Sequence, residues 1–516
     1  MLYLAFIFHN HQPYYKNLLT NETELPWVRL HGVKDYLDMV QMLEPYPKIH
    51  QTFNLVPSLI EQLEDYFKGN VKDKFLEHSY RPAAKLSPQE KKFILDNFFS
   101  INRERVIAVH PRYYELYLKK QSGGEFSTAD FLDLQAWFNL AWIDPSFRQA
   151  MPELRAIVHK ARYLSEADKR AVLEAQLKIL KGIIPGYKKS MASGQIEVTA
   201  NPYYHPVLPL LYSSTIAREA NIKATLPSVK FSYPQDAKAQ IKDAVRFYRE
   251  RFGRQPAGMW PSEEGVSEHI IPLFIQAGIK WIVTDESILF RSLKLKKRNT
   301  RLLYQPHLLR RKDGDLAIIF RDRNLSDMIG FLYHRWNHKD AVEDFMKHLE
   351  NTAKAFKNQD ILLTIAMDGE NAWEFYANDG HDFLELLYER LTEAPFLRAV
   401  TVSEYLLMHP AQHRIPRLAA GSWIYSEFGK WIGSPQKNKA WEYIARARAE
   451  LATLKTQGAK INWDLAWKQM YILEGSDWFW WYGDNQPEFD QLFRTHLANF
   501  YIIIGKEIPD YAHYPL

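Results

Sequence analysis

Short apolar runs that end in polar residues recur along the chain, and segments with a helical period of apolar positions separate most of them. Helical patterns cover 236–252 and 341–356, for example. Strands that alternate with helices indicate a parallel sheet. The runs that predict strands are Tyr3–Phe8, Thr52–Val56, Ile196–Thr199, Ala257–Trp260, Trp281–Thr284, Ala317–Phe320 and Ile361–Met367.

The polar residues that look functional follow these runs rather than precede them. In barrels of parallel strands the active site lies at the carboxyl ends of the strands. We therefore predict an α/β fold built on a closed (β/α)7 barrel, with one strand fewer than the usual eight. An open doubly wound sheet is the alternative, but the chain lacks the Gly-rich phosphate loop that would support it.

Two regions depart from this alternation. Residues 61–194 are strongly helical in pattern and too long for a single crossover, which predicts helical insertions in the barrel. After Pro410 the pattern becomes helical again, with helices expected over 441–456 and 488–501. We expect a catalytic barrel domain over 1–408, with the helical insertion around 61–194, and an all-helical domain over 409–516.

Composition narrows the classes of function. The net charge is +5 over 516 residues and long basic runs are absent, so a nucleic-acid partner is not expected. The chain has no Cys, which excludes disulfides and Cys-based metal or redox sites and fits a reducing compartment. The apolar N-terminus lacks the features of a signal peptide, and apolar runs of ~20 residues are absent. A cytoplasmic protein without a membrane partner is expected, and its oligomeric state stays open.

Two motifs place acids directly after a strand among Trp and Gly residues. They are Gly258–Gly265 (GMWPSEEG) and Thr364–Trp373 (TIAMDGENAW). Two carboxyl groups from different strand ends are what glycosidic bond cleavage needs, and aromatic faces suit the apolar faces of a sugar ring. Alternation along the strand should send Glu263 and Glu264 in different directions, and spacing alone does not choose between them. Asp368 ends the other strand.

His9 and His11 lie on the same side of an extended strand and could bind a metal, as in barrel hydrolases of the polysaccharide deacetylase type. Such a site needs further ligands, and a second matching His pair is absent. Hydrogen bonding of His11 to sugar hydroxyls is therefore favoured, with a structural role for His9 left open. His205, held between prolines, is a second sugar contact or a turn residue. We expect neither a metal nor another cofactor.

Further polar and aromatic residues have two interpretations each. Asp285 and Arg321 follow strands and have surface, structural or substrate-binding roles. The consecutive aromatics 478–482 cannot all pack on one helix face. Some would form a ledge between domains, and others a platform over the mouth of the barrel.

These motifs together resemble glycoside hydrolase family 57, the group of α-amylases, amylopullulanases and 4-α-glucanotransferases. The matching segments run in family order: His11–Pro13, Gly194–Val198 with 201–206, Trp260–Glu263, Asp368–Glu370 and the Trp-rich C-terminal stretch. The resemblance implies a (β/α)7 barrel followed by a helical region that completes the active-site cleft. It also implies a retaining reaction with Glu263, rather than Glu264, as nucleophile and Asp368 as general acid/base.

The expected substrate is an α-glucan oligo- or polysaccharide, cleaved at α-1,4 and in some members at α-1,6 bonds. A 4-α-glucanotransferase or branching enzyme of the same family is the first alternative. A metal-dependent deacetylase-like hydrolase and a non-catalytic glucan-binding protein are others. Pro26–Gly32 resembles the amylase branch. The expected substrate contacts are His9, His11, Trp27, His205, Trp260, Asp285, Arg321, Glu370, Trp373, Trp423, Asp477 and Trp478.

Overall fold

The structure, a computed structural model, describes residues 1–483 and 486–516. Each of the seven predicted runs contains a parallel strand of the barrel. In chain order these strands are β1 (Leu2–Asn10), β2 (Gln51–Leu55), β3 (Ile196–Thr199), β4 (Gly258–Met259), β5 (Trp281–Asp285), β6 (Gly314–Arg321) and β7 (Ile361–Asp368).

The strands close into a ring in chain order. β1 pairs with β7 and β2, β2 pairs with β3, and β5 pairs with β4 and β6. A parallel bridge between Ala200 and Met259 joins β3 to β4. The amide of Asp322, which follows β6, donates to the carbonyl of Thr364 in β7 at 2.8 Å. The prediction of a (β/α)7 barrel is confirmed, and the open sheet is excluded.

The register of β1 brings the carboxyl ends of its neighbours to one rim. His9 lies opposite Asp368 of β7 and opposite Asn54 of β2. Ala5 and Ile7, two residues apart on β1, face the barrel interior, because side chains alternate along a strand. The other buried members of this interior cluster are Trp260, Trp281, Val283, Ile319, Leu362, Ala366, Val400, Val402 and Tyr405.

The structure also contains short strands in addition to the seven of the barrel. His307–Arg311 forms an antiparallel hairpin with β6 and pairs with His413–Arg414 on its other side. Leu397–Ala399 pairs with the first residues of β1, and Glu22–Thr23 pairs with Lys72–Asp73. They were not predicted from the sequence, because elements of two to five residues are too short to show a period.

Helices fill the long connection between β2 and β3. Three of them begin with a Ser whose hydroxyl oxygen accepts a hydrogen bond from the backbone amide of an acidic residue three positions later, while the carboxylate of that residue accepts from the Ser amide, as in Ser165 with Asp168. The helices are Pro57–Lys68, Lys74–Tyr80, Pro88–Asn97, Pro111–Gln121, Thr128–Ala141, Pro145–Ala150, Pro152–Lys160 and Glu166–Ala192. Trp27–Lys34 and Tyr36–Gln41 precede β2.

Other helices surround the barrel, and a further group follows it. The first group is Leu208–Tyr212, Ala217–Ala220, Pro234–Phe252, Ile271–Gln276, Glu286–Ser292, Thr300–Leu303, Arg323–Asp327, His338–Ala355, His381–Glu393 and Val402–Met408. The second is Pro435–Thr456, Trp463–Leu473, Asp477–Trp481 and Pro487–Ile503.

Residues just after the last barrel helix stay attached to the barrel. His413–Arg414 extends the hairpin of β6, and Gly421 bridges to Val266. The helical part of the C-terminal region therefore starts later, at Pro435. In the described part of the chain, every helix is too short or too polar to cross a membrane.

A buried arginine joins the helix that begins at Trp27 to the helical insertion. Arg29 is fully buried; its Nε donates to Asp73 at 2.8 Å, and its Nη1 donates to Asn139 at 2.9 Å and Gln176 at 2.6 Å. These partners come from three separate segments. The guanidinium therefore compensates the buried Asp73 carboxylate and links segments that are distant in sequence.

We expect Arg29→Met to lower the free energy of unfolding by about 3–5 kcal/mol, because it leaves the charge of Asp73 buried and unpaired. Urea denaturation followed by circular dichroism measures the change. Arg29→Met combined with Asp73→Asn should recover part of the loss. Equal stability of Arg29→Met and wild type would show that this network does not hold the insertion.

A second buried acid lies just after β4. Glu264 is fully buried, and both carboxylate oxygens lack a hydrogen-bond partner within the described residues. Its nearest cation is Arg321, 3.9 Å away, which is also 3.1 Å from Asp285. Burial raises the pKa of Glu264 to about 8, with the neighbouring Arg321 opposing the shift.

This pKa predicts a stability that falls with rising pH. Between the ordinary value of 4.5 and about 8, the folded state binds more protons at Glu264 than the unfolded state does. The free energy of unfolding should then decline by at most about 1.4 kcal/mol per pH unit in this window. Glu264→Gln should make the decline shallower in urea titrations at pH 5 to 8, where Glu263 still contributes, whereas the exposed control Glu389→Gln should leave the slope unchanged. An identical slope in Glu264→Gln and wild type would contradict the assignment.

Candidate active site

A cavity of about 1060 Å³ opens at the carboxyl ends of the barrel strands. Barrel strand ends supply Glu263 and Asp368, the helical insertion supplies Ser100–Glu104, and the C-terminal region supplies Asp477 with Trp480 and Trp481. Its size is at the upper end of small-molecule sites, ~300–1,000 Å³. It can enclose several sugar units, with the barrel as its floor and helical segments as its walls.

The backbone after β4 turns through a conformation that is rare for residues other than glycine. Glu263 has φ of +59° and Glu264 has φ of +48°. Glu263 faces the cavity, whereas Glu264 is buried towards Arg321. The two glutamates do point in different directions, through this left-handed turn rather than through strand alternation. Such strained backbone is found at functional sites, where the surrounding structure holds it in place.

Both oxygens of Glu263 accept hydrogen bonds from the C-terminal region. Ser476 Oγ donates to Oε1 at 3.0 Å, and the indole Nε1 of Trp423 donates to Oε2 at 3.1 Å. His205 Nδ1 is 3.8 Å from Oε1. These contacts fix the carboxylate orientation and favour its charged form. Ser476 was not predicted from the sequence. The only signal for it was its position next to Asp477.

Asp368 reaches the cavity from the end of β7. Its Oδ2 accepts a hydrogen bond from Asn371 Nδ2 at 3.2 Å. The next residue, Gly369, lies against β1: a Cβ there would be 2.0 Å from Asn10 Oδ1, and its amide donates to the carbonyl of His9 at 2.7 Å. A side chain at this position would therefore push the end of β7, and Asp368 with it, away from β1.

The carboxyl groups of this cavity hold protons more tightly than usual. Burial, followed by the nearby Asp477 and Asp368, raises the pKa of Glu263 to about 8. Burial also raises the pKa of Asp368. Carboxyl groups that converge in a low-dielectric site do not ionise independently, because the charge of one raises the pKa of the other. One neutral and one charged carboxyl group is the state that acid-assisted nucleophilic attack on a sugar requires.

Three imidazole rings stack along one wall of the cavity. The ring centroids of His11 and His205 are 3.9 Å apart, and those of His9 and His205 are 5.0 Å apart. Burial lowers the pKa of His9 to about 3 and the pKa of His205 well below its ordinary value. At neutral pH these two rings are uncharged and can donate or accept hydrogen bonds with sugar hydroxyls.

Each ring is oriented by a polar partner. His9 Nδ1 is 2.7 Å from Asn54 Oδ1, and because the Asn54 amide nitrogen donates elsewhere, Nδ1 carries the proton. His11 Nε2 lies 2.8 Å from Asp477 Oδ1. His205 Nδ1 lies 2.8 Å from Ser476 Oγ, which links the histidine to the hydroxyl that contacts Glu263.

Within the part of the chain that the structure describes, two groups of side chains could hold a metal ion. His11, His205 and Asp477 offer ligand atoms within 4.8 Å of one another inside the cavity. His11 Nδ1 and His205 Nε2 are buried without a hydrogen-bond partner in the described residues, so both can accept from a hydroxyl or bind a metal. The second group, Asp38, Asp144 and His381, is buried outside the cavity lining.

Of the other predicted substrate contacts, Trp27, Glu370, Trp423 and Asp477 line the cavity together with His9, His11 and His205. Glu370 Oε1 accepts from the amide of His11 at 3.3 Å, and burial raises the pKa of Glu370 well above its ordinary value. Glu370 thus braces the segment that carries His11 as well as bordering the cavity.

Three other predicted contacts do not line the cavity. Trp260 stacks 4.8 Å from His9 with an angle of 7° between the rings, so it supports the histidine. Asp285 is fully buried and accepts hydrogen bonds from Arg321 and Arg323. The Arg321 guanidinium lies 5.3 Å from the Trp423 ring. None of these three side chains lines the cavity.

Trp373 and Trp478 are core residues. The indole of Trp373 donates to the carbonyl of Gly369 at 2.8 Å, and that of Trp478 donates to the carbonyl of Ile472 at 3.1 Å. In the aromatic run 478–482 it is Trp480 and Trp481 that line the cavity. A short helix turns successive aromatic residues to different sides, which composition alone did not resolve.

No sequence pattern indicated that Ser100–Glu104, which reaches the cavity from the helical insertion, or Trp142 would line the cavity. These residues follow helices whose approach to the barrel depends on tertiary packing. A short connecting segment and a single Trp at a helix end show no apolar period that would mark them.

Solved structures with the same fold include three archaeal and bacterial enzymes. The GH57-type branching enzyme of Pyrococcus horikoshii is 16% identical, with a TM-score of 0.64 over 97% of this chain and 89% of its own. The branching enzyme of Thermococcus kodakaraensis is 16% identical, with a TM-score of 0.62 over 97% and 90%. An α-amylase of Thermotoga maritima is 14% identical, with a TM-score of 0.59 over 97% and 96%.

A curated relative is similar over a shorter stretch. Alpha-amylase 1 of Dictyoglomus thermophilum is 23% identical over 253 residues, which is 49% of this chain and 32% of the amylase. The match thus spans about a third of that relative's length. The family model for glycosyl hydrolase family 57 matches residues 5–417, from β1 past the last helix of the barrel. The chain belongs to glycosyl hydrolase family 57.

Proposed function

We propose that this chain is a retaining enzyme that cleaves α-glucosidic bonds of α-glucans, with Glu263 as nucleophile and Asp368 as general acid/base. The observation that carries the proposal is that these two carboxyl groups, from the ends of β4 and β7, line one cavity, where burial raises the pKa of both. Aromatic side chains and neutral histidines, the groups that suit a sugar ring, form the walls.

In the first step the proton on Asp368 passes to the glycosidic oxygen as the bond from that oxygen to the anomeric carbon breaks. A carboxylate oxygen of Glu263 forms a new bond to the anomeric carbon, giving a glycosyl ester. In the second step Asp368 takes a proton from an incoming hydroxyl, whose oxygen displaces Glu263. Two inversions at the anomeric carbon leave its configuration unchanged.

The C-terminal region has a direct part in this mechanism. Ser476 and Trp423 donate to the two oxygens of Glu263 and so oppose the effect of its burial on the pKa. As charge leaves the carboxylate during attack, the same donors keep its oxygens aligned with the anomeric carbon. His9 and His205, being uncharged, orient hydroxyl groups without adding charge beside the acid.

Transfer to a sugar hydroxyl, as in a 4-α-glucanotransferase or branching enzyme, is the second candidate. Walls from the helical insertion and the C-terminal region cover the barrel mouth, with Ser100–Glu104 on one side and Trp480 and Trp481 on the other. Exclusion of water by such walls favours a sugar acceptor over hydrolysis. The nature of the acceptor decides between amylase and transferase activity on the same glycosyl ester.

We expect Glu263→Gln and Asp368→Asn each to lower kcat by at least about 10²–10⁴-fold on maltoheptaose, because each removes a group that reacts in the first step. Product analysis with EDTA present measures this. Shorter products alone indicate hydrolysis, longer chains indicate transfer, and proton NMR of the first products reports the anomeric configuration.

Glu264→Gln is the matched control, since it removes the neighbouring carboxyl group that is not in the cavity, and it should keep most of the activity. Full activity of Glu263→Gln would contradict the nucleophile assignment. Activity that is absent in EDTA and restored by zinc would instead support a metal at His11, His205 and Asp477.

We also expect Asp477→Asn to shift the acid limb of the pH profile of kcat/KM to lower pH. Glu263 attacks only when ionised, so activity rises as pH passes its pKa. Loss of the nearby negative charge lowers that pKa, and a shift of about half to one pH unit is expected. Asp464→Asn, which changes an exposed acid on a neighbouring helix, should leave the profile in place. A limb that stays at the wild-type pH in Asp477→Asn would mean that a group other than Glu263 sets it.

A further inference from the structure

A patch of exposed aromatic side chains lies outside the rim of the cavity. It consists of Phe331, His334, Trp336 and Phe375, and we call it the rim patch. Phe331 is 71% exposed, Trp336 is 43% exposed and Phe375 is 49% exposed. Exposed aromatic side chains that lie close together mark a binding surface more often than single ones do.

The rim patch is continuous with the cavity. Phe375 itself lines the cavity, and its ring is 5.6 Å from the ring of His334. Arg105 follows the wall segment 100–104, and its Nη2 donates to the carbonyl of His334 at 3.0 Å. One loop of the helical insertion thus borders the cavity and is hydrogen-bonded to the patch.

Contacts with buried tyrosines also hold the rim patch in place. Trp336 packs edge-on against Tyr333 at 5.5 Å, and the hydroxyl of the buried Tyr333 donates to Asp344 at 2.8 Å. The hydroxyl of Tyr376, next to Phe375, donates to the carbonyl of Ile329 at 2.6 Å. Aromatic side chains fixed in this way lose little conformational entropy when a ligand stacks on them.

We propose that the rim patch binds the part of an α-glucan chain that extends out of the catalytic cavity, so that the enzyme favours long glucans over short oligosaccharides. This rests on the proposed function. A glucan chain presents apolar ring faces and hydroxyl edges, which match aromatic faces beside backbone carbonyls. A chain bound in the cavity and leaving past Phe375 would meet His334 next.

The test compares chain lengths in one double variant, Phe331→Ala with Trp336→Ala, because neither residue lines the cavity. We expect KM for amylose to rise by about five- to tenfold, with kcat and KM for maltotetraose unchanged. Tyr163→Ala is the matched control, since Tyr163 is also 71% exposed but lies in the helical insertion outside the cavity lining. It should leave both substrates unaffected.

A second measurement separates binding from turnover. In the Glu263→Gln background, native electrophoresis through gels that contain amylose should show strong retardation, which the double variant weakens and Tyr163→Ala does not. If no glucan is turned over but this retardation pattern holds, the proposed activity fails while the patch assignment stands.

Equal loss on maltotetraose and amylose would overturn the proposal, because the patch would then act through the catalytic cavity. Unchanged KM for amylose would overturn it as well. A double variant that differs from wild type only in oligomeric state, measured by analytical ultracentrifugation, would assign the patch to contacts between copies of this chain instead.

Discussion

The parallel pairing of β1 with β7 and β2 is the constraint on which the site depends. In this register His9 lies opposite both Asp368 and Asn54. Gly369 permits it, since a Cβ would meet Asn10 at 2.0 Å. A shift of β1 by one residue against β7 would put His9 and Asp368 on opposite faces of the sheet, because side chains alternate along each strand. Backbone hydrogen bonding in the barrel therefore sets the positions of Asp368 and His9.

The backbone conformation and the buried acids at the proposed catalytic site lower the stability of the fold, and packing elsewhere offsets this loss. Glu263 and Glu264 adopt a left-handed backbone, and burial raises the pKa of both carboxyl groups to about 8. Strain and buried acids of this kind oppose folding. The barrel interior offsets them with tightly packed apolar side chains such as Ile7 and Trp281. Strain at a reacting group that the surrounding packing enforces is typical of an enzyme site.

The strands, and the acids at their carboxyl ends, could be predicted because local sequence determines them. Each barrel strand is an apolar run bounded by helical patterns, and acids at strand ends are visible in the chain itself. The direction in which a side chain points in the folded structure cannot be predicted from local sequence alone. Trp260, Trp373 and Trp478 face the core, whereas Trp480 faces the cavity, and nothing in their neighbours distinguishes these cases. Ser476 likewise becomes important only once folding brings it to Glu263.

The C-terminal region contacts Glu263, the proposed nucleophile. Ser476 and Trp423 lie far from Glu263 in sequence, yet they supply both hydrogen bonds to its carboxylate. Without this region Glu263 would lose both donors, which favour its charged form. The same region also supplies Asp477, whose charge raises the pKa of Glu263. Under the proposed mechanism, the C-terminal region therefore sets the protonation of the nucleophile as well as covering the cavity.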